Sequence, residues 1–339
     1  MKLMLLFSIL FYCVDINTAY IYSRLGASSK NEIRSDDFEG FSRGKASNFV
    51  ENQGMEVLPV EEEDVVQEKR ASLEGQLMSS AFYSRLKDSS HKSKKDLVDD
   101  MQSFGVIRID NVLDSETVFM LKEFVSRELD VARAKNKMWD DYFSSSLAGK
   151  NRWDFKLPME TIVQQSLKHM LKVGAPLGDL LESLTGENGE LFELASFITY
   201  PGAGRQVIHS DTLYTKRPVL FTCTVALQDI EESMGPTVLL PSSHTKLVHK
   251  KFDNSKTCDE LLATFPHVLS TLSSGSVTVY DSRILHCGSA NNSDSKSRIL
   301  FYFSFVNPAG FEEDDDSWNV ASIRSENKGK YCLRDFRAK

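Results

Sequence analysis

The chain has 339 residues, 41% of them hydrophobic and 10% aromatic, a composition typical of a soluble globular protein with a sizeable core. Its formal net charge is −8, from 40 Lys and Arg against 48 Asp and Glu, and the sequence shows no basic cluster. This balance excludes a general nucleic-acid binder, because neutralising phosphate groups requires a clustered basic surface.

Residues 1–19 predict a secretory or targeting leader. Lys2 is followed by the apolar run from Leu3 to Val14 and by polar residues that end in Ala19. The run is shorter than the roughly 20 residues that span a bilayer, so we expect no stable membrane insertion once the leader is removed. The leader indicates entry into the secretory pathway, with secretion, the endomembrane system or a plastid as the final location. An uncleaved anchor is the alternative.

Residues 20–90 predict a flexible N-terminal extension. They are rich in Ser, Glu, Asp and Lys, include the acidic run from Glu61 to Asp64, and show little sustained periodicity. We therefore expect a single folded domain over residues 91–339.

Helices are predicted at the start of this domain. Apolar residues at helical spacing predict a short helix that ends at Gly105, followed by a strand over residues 106–109. Asp114 or Ser115 would cap a long amphipathic helix. A second helical region covers residues 161–184 and is interrupted by a glycine and a proline.

After Gly189 the sequence changes to short β-rich runs separated by turn residues. The predicted strands cover residues 194–200, 219–227, 237–240, 276–280 and 299–306. Such spacing favours an antiparallel sandwich or barrel. The predicted fold class is α+β, mainly β, with helices flanking the N-terminal side of the β core. The five cysteines show no C-x-x-C pair and are expected to be free or incidentally paired.

A His-X-Asp pair is the first candidate for chemistry. In an extended strand, His209 and Asp211 would project from the same face and could reach one metal ion. His286, at the end of a predicted strand, is the best third ligand. Two histidines and one carboxylate leave coordination positions open, which is the arrangement of non-haem Fe(II) oxygenases.

Arg298 follows His286 by twelve residues (298 − 286) and begins an otherwise apolar strand. A buried guanidinium without a partner is costly, so Arg298 is expected to bind a carboxylate. A bidentate fork could hold the distal acid of a dicarboxylate such as 2-oxoglutarate, whose other end chelates the metal.

The sequence resembles the phytanoyl-CoA dioxygenase-like branch of the Fe(II)/2-oxoglutarate oxygenases. The resemblance lies in "QVIHSDT", in "MGPTVLLPSSHT" and in "LHCGSANNSDSKSR", and extends weakly to "FGVIRIDNVLD", covering roughly residues 96–308. One departure is Ser242, where the family usually has Gly.

The resemblance implies a double-stranded β-helix of the jelly-roll or cupin type. It implies that His209, Asp211 and His286 bind Fe(II) and that Arg298 binds 2-oxoglutarate, with O2 as the oxidant and ascorbate as a supporting reductant. The expected reaction hydroxylates an unactivated C–H bond of a small molecule and releases succinate and CO2. Asp211 argues against halogenation, because related halogenases have a small residue there.

Further residues are weaker candidates. Gln206 and Thr222 could touch the co-substrate, although Thr222 could equally belong to a half-exposed strand. Arg152, Trp153 and Lys156 could meet an anionic substrate, with ordinary strand packing as the alternative.

Three other outcomes stay open. The same cofactors could drive radical cyclisation or desaturation, as in the algal kainoid synthases. A non-catalytic β-barrel binding protein is the reading from a different class, and a zinc hydrolase would leave Arg298 unexplained. A monomer or weak oligomer is expected.

Overall fold

The computed structural model describes residues 70–72, 74–75, 84–134, 139–144, 151–310 and 321–337. Contacts divide the chain into Met1–Arg70 and Ala71–Lys339, and the description below concerns the second unit. The predicted leader and most of the predicted extension lie outside the described residues.

Six strands form the major sheet: Val106–Ile109 (β2), Arg152–Lys156 (β3), Leu191–Thr199 (β4), Leu220–Ala226 (β5), Val277–Asp281 (β8) and Arg298–Val306 (β10). They pair in antiparallel fashion in the order β2-β8-β5-β10-β4-β3.

Four short strands form a minor sheet: Ser84–Arg85 (β1), Thr237–Leu239 (β6), Val268–Ser270 (β7) and His286–Gly288 (β9). Their order in the sheet is β1-β7-β6-β9. β1 pairs with β7 in parallel, while the other pairs are antiparallel. β1 lies within the range predicted as a flexible extension, so the packed part of the chain begins before residue 91.

Seven α-helices lie between residues 94 and 264 in the described part of the chain, in addition to helical residues at 70–72 and 74–75. Their bounds are Lys94–Phe104 (α1), Ser115–Ala134 (α2), Trp139–Tyr142 (α3), Thr161–Leu171 (α4), Pro176–Thr185 (α5), Lys246–Phe252 (α6) and Cys258–Thr264 (α7). Asp114 caps α2, because its carboxylate accepts the Thr117 N–H at 2.8 Å. None of the helices in these ranges combines the length and apolar character that crossing a membrane requires.

The two faces of the major sheet have different surroundings. On β10, Phe301, Phe303 and Phe305 point to one side and join the main hydrophobic core, which includes buried residues of α1, α2, α4 and α5. Arg298, Leu300 and Tyr302 point to the other side and line a cavity to which the minor sheet also contributes. The alternation of β10 therefore separates the core from the cavity.

The predicted α+β, mainly β class agrees with this architecture. All five predicted strands of the β region are present, with ends that differ by up to three residues. The short strands β7 and β9 and the helices α6 and α7 were not predicted. Every residue of β5 is buried, so the half-exposed alternative for Thr222 is wrong.

Candidate metal centre and co-substrate cavity

His209, Asp211 and His286 come together between the two sheets. One ligand atom from each lies within 4.8 Å of the others. The Asp211 Oδ1 atom is 3.9 Å from His209 Nε2 and 3.6 Å from His286 Nε2. Both histidines are buried and their ring centroids are 4.5 Å apart.

Backbone pairing positions the cluster. His209 and His286 exchange two backbone hydrogen bonds, of 3.0 and 2.8 Å, and the Asp211 N–H donates to the Ser282 carbonyl at 2.9 Å. His209 is thus an isolated bridge followed by a bend, so the pair meets the third ligand without the extended strand considered in the sequence analysis. His286 begins β9 instead of ending a strand.

The Nδ1 atoms of both histidines face backbone carbonyls. His209 Nδ1 lies 2.8 Å from the Val207 oxygen, and His286 Nδ1 lies 3.0 Å from the Ile284 oxygen. Because a carbonyl oxygen can only accept, each Nδ1 is the donor in these contacts, and both Nε2 atoms are left as ligand atoms close to Asp211. Two imidazoles and one carboxylate fit a divalent iron ion and leave positions open for other ligands.

Arg298 is buried in the same cavity. Its Nη1 donates to the Gly235 carbonyl and its Nη2 to Thr199 Oγ1 at 3.2 Å, while Nε has no hydrogen bond within the described residues. Burial, together with the neighbouring Arg152, lowers the pKa of Arg298 to about 9. The guanidinium therefore gains from an anionic ligand.

Arg152 lies beside Arg298. Its Nη2 donates to the Gly204 carbonyl at 2.9 Å, and its Nη1 is 3.4 Å from Thr199 Oγ1. Burial lowers the pKa of Arg152 to about 10. No carboxylate in the described part of the chain forms an ion pair with either guanidinium, so this end of the cavity is cationic.

Gln206 and Thr222 both line the cavity. Gln206 Oε1 accepts the Gly288 N–H at 2.9 Å. A Cβ at Gly288 would lie 2.6 Å from both Arg152 Nη1 and Gln206 Oε1, so glycine leaves the room that these groups need. The Thr222 hydroxyl is buried and makes no hydrogen bond among the described residues.

Trp153 and Lys156 do not line the cavity. Trp153 projects from the other face of β3, where its ring packs 5.4 Å from that of Phe143 and 5.5 Å from the Arg133 guanidinium. Lys156 is buried close to Asp154, whose pKa it lowers. Of the three residues proposed from "NRWDFKLP", the structure brings only Arg152 to the site.

Two buried acids were missed by sequence reasoning. Glu193 lines the cavity, and burial, together with the nearby Asp211 carboxylate, raises its pKa to about 8. Asp154 accepts hydrogen bonds from the Tyr302 hydroxyl at 2.7 Å and the Ser322 hydroxyl at 2.8 Å. The available signal was the single charged residue in the apolar run "LFELASFIT".

Glu74 contacts the loop that carries the His-X-Asp pair. Residues 74–75 are helical, and the Oε2 atom of the buried Glu74 accepts the Ile208 N–H at 2.7 Å. The residue next to His209 is thus held by a side chain from far upstream.

Two other sequence features have structural roles. His244 Nε2 lies 3.1 Å from the Gln102 carbonyl, away from the cluster. Asn291, the first residue of a glycosylation sequon, is buried and donates to the Thr199 and Lys296 carbonyls. The four cysteines among the described residues are free.

Comparisons with known proteins agree with this geometry. The family model described as phytanoyl-CoA dioxygenase matches residues 101–300, which is more than half of the chain. No curated protein matches the chain by sequence.

Solved structures share the fold. SnoN, described as a non-heme alpha ketoglutarate dependent epimerase from nogalamycin biosynthesis, has 17% identity and a TM-score of 0.50, over 68% of this chain and 92% of its own. SnoK, a carbocyclase from the same biosynthesis, has 16% identity and a TM-score of 0.48, over 66% of this chain and 87% of its own. The similarity to SnoN supports the predicted double-stranded β-helix and nothing finer.

Proposed function

Because the chain belongs to the phytanoyl-CoA dioxygenase family of Fe(II)- and 2-oxoglutarate-dependent oxygenases, we propose that it hydroxylates an unactivated C–H bond of a small molecule. The observation that carries this proposal is the cluster of His209, Asp211 and His286, which shares one cavity with two buried guanidiniums.

Iron would be held by His209 Nε2, His286 Nε2 and one Asp211 oxygen. Bound iron supplies the site at which O2 is reduced: 2-oxoglutarate is oxidised to succinate and CO2, one oxygen atom enters succinate and the other enters the substrate. The protein's part is to fix the orientation of both rings through the Val207 and Ile284 carbonyls, with the two Nε2 atoms left for the metal. Asp211 fills the position that a halide would need, which supports oxygenation.

Arg298 would bind the distal carboxylate of 2-oxoglutarate. Its Nε has no partner among the described residues, and Arg152 adds a second positive charge at the same end. Thr199 accepts from both guanidiniums and so fixes their spacing. Gln206 and Thr222 also line the cavity, where they would contact the co-substrate.

Anaerobic titration with Fe(II) and 2-oxoglutarate tests the metal assignment. The wild-type protein should develop a weak visible charge-transfer band, and His209→Ala should abolish it because a ligand is lost. His169→Ala removes an exposed histidine of α4 and should leave the band unchanged. A band of equal intensity in His209→Ala would exclude His209 from the site.

The same titration separates the two ends of the cavity. Arg298→Leu should weaken 2-oxoglutarate binding by about a hundredfold, since a buried charge-assisted pair is lost. Iron binding should change much less. Equal losses of iron and 2-oxoglutarate would contradict the role given to Arg298.

The composition of the product identifies the reaction. In a screen of small metabolites for succinate release, the coupled product should gain one oxygen atom. A product that has lost two hydrogen atoms would indicate desaturation or cyclisation instead. No succinate release with any metabolite, together with tight ligand binding, would favour a binding protein.

A further inference from the structure

The cavity has two ends of opposite charge. On β10, Arg298 is paired with Thr199 of β4, and Ser304, six residues further along, stands at the register position of Glu193. Six residues of strand correspond to about 20 Å. The two lining guanidiniums, Arg298 and Arg152, lie at the first end, and Glu193 lies at the second.

The Glu193 end is the end at which the metal ligands stand. Ser304 is also at the register position of Thr222 on β5, and Thr222 is at that of Tyr280 on β8. The Tyr280 ring lies 5.0 Å from the His286 ring. The Glu193 carboxyl therefore faces the space beside the metal ligands, on the side away from Arg298.

Charge at this end does not balance. Iron(II), the Asp211 carboxylate and the α-carboxylate of 2-oxoglutarate would together sum to zero. Among the described residues that line the cavity, the only cations are Arg152 and Arg298, at the opposite end. An ionised Glu193 would have only the Ser304 hydroxyl and the Ser322 backbone beside it and no counter-charge, which is costly unless a ligand supplies a positive charge.

We propose that Glu193 binds a protonated amine of the primary substrate. The substrate class is therefore a small molecule with a basic nitrogen close to the carbon that is oxidised. Glu193 holds that nitrogen by a charge-assisted hydrogen bond and so directs a neighbouring C–H bond towards the metal. The inference rests on the proposed oxygenase function, because it takes the metal ligands as the centre of the reaction.

The Thr222 hydroxyl supports this placement. It is buried, lines the cavity at the same level of the sheet as Glu193, with Ser304 between them, and makes no hydrogen bond among the described residues. A second polar group of the substrate, or the co-substrate, would satisfy it. Asp154, the other buried acid of this region, already has Lys156 and two hydroxyl donors, so it does not need an external cation.

Calorimetry with matched probes tests the proposal. The protein loaded with Mn(II) and 2-oxoglutarate is titrated with hexylamine and cyclohexylamine, and with hexanol and cyclohexanol as neutral counterparts of the same size. The wild-type protein should bind the amines at least about tenfold more tightly than the alcohols. Glu193→Gln should remove this preference and leave alcohol binding within about threefold.

Glu190→Gln is the matched control. Glu190 directly precedes β4 and is exposed, so its replacement removes the same charge without touching the cavity. The amine preference should persist in this variant. An equal loss in both variants, or no preference in the wild-type protein, would overturn the proposal.

Folding and function are separated by two further measurements. If Glu193→Gln does not fold, Glu193→Asp is used: its shorter carboxylate should reduce amine affinity relative to alcohol affinity, and an unchanged ratio overturns the proposal. Titration with 2-oxoglutarate on the same preparation tests the oxygenase function by itself. Tight 2-oxoglutarate binding and succinate release without an amine preference would reject the role of Glu193 alone.

Discussion

Asp154 is a buried carboxyl that two hydroxyl groups contact. The Tyr302 hydroxyl donates to Oδ1 and the Ser322 hydroxyl donates to Oδ2. Burial nevertheless dominates and raises the pKa of Asp154 from 3.8 to about 6, with the hydroxyl donors and Lys156 acting in the opposite direction. The folded state therefore favours the protonated form of Asp154 more than the unfolded chain does.

This shift makes stability depend on pH. Since the folded pKa lies above the unfolded value, the contribution of Asp154 is full below pH 3.8 and is lost as the pH rises through about 6. Asp154→Asn has no such ionisation. As the pH rises from about 4.5 to 8, we expect the free energy of unfolding of the variant to increase by about 2 kcal/mol relative to that of the wild-type protein.

Urea unfolding of both proteins at the two pH values measures this gain. Asp99→Asn, at an exposed position of α1, is the control and should show no pH-dependent difference of this size. A constant difference between Asp154→Asn and the wild-type protein across the range would refute the effect.

At the residue level the sequence predicted the metal candidates better than their surroundings. His209, Asp211, His286 and Arg298 could be proposed because their types and order along the chain are unusual together. Glu193 was not proposed, since its significance depends on the pairing of β4 with β10, which places it beside the metal ligands. Periodicity within one strand does not reveal the neighbouring strand.

The stretch at residues 74–75 precedes the range matched by the family model, residues 101–300. It nevertheless contributes Glu74, whose carboxylate accepts the Ile208 N–H one residue before His209. A buried backbone N–H without an acceptor costs about 1–3 kcal/mol. Glu74 is therefore a positioning residue for the His-X-Asp loop.

Two substitutions of Glu74 distinguish the effect of its hydrogen-bond acceptor from the effect of its negative charge. Glu74→Ala should weaken Mn(II) binding by about tenfold, because the loop loses the bond that fixes its conformation. Glu74→Gln keeps an acceptor oxygen and should bind Mn(II) within about threefold of the wild-type protein. An equilibrium titration monitored by electron paramagnetic resonance gives the Mn(II) dissociation constants of both variants.

Glu116→Ala provides the comparison, because Glu116 is exposed in the first turn of α2. It should bind Mn(II) like the wild-type protein. If Glu74→Gln is as weak as Glu74→Ala, the hydrogen bond to Ile208 is not the reason for the loss.

Among the elements, long helices and long strands were easier to predict than short ones. The long helix α2 has clear helical periodicity, the strand β10 is a long and nearly continuous apolar run, and both were predicted. The strands β7 and β9 have three residues each and were not predicted, because their conformation depends on pairing with β6. No strand was predicted through His209, and a single bridge to His286 holds that residue.

At the scale of the whole molecule, the metal candidates connect distant parts of the fold. His209 and Asp211 lie in a loop, while His286 begins β9 of the minor sheet. A bound ion would tie this loop to that strand, and only the folded chain presents the three donors together. Metal binding should therefore stabilise the native state.

Differential scanning calorimetry measures this stabilisation. Mn(II) at about one hundred times its Kd should raise the free energy of unfolding by about 2.7 kcal/mol, which corresponds to a rise in Tm of about 5–10 °C. His209→Ala should show almost no rise at the same concentration. An equal rise in that variant would mean that Mn(II) binds elsewhere.

The Glu74 contact also bears on where the chain can be shortened. A fragment cut to residues 101–300 would lose Glu74 at one end and would break β10 after Leu300 at the other. Any proteolytic cleavage in the N-terminal region is under the same constraint, because cleavage after Glu74 would leave the Ile208 N–H without its acceptor. A cleavage that preserves the site should therefore fall upstream of Glu74.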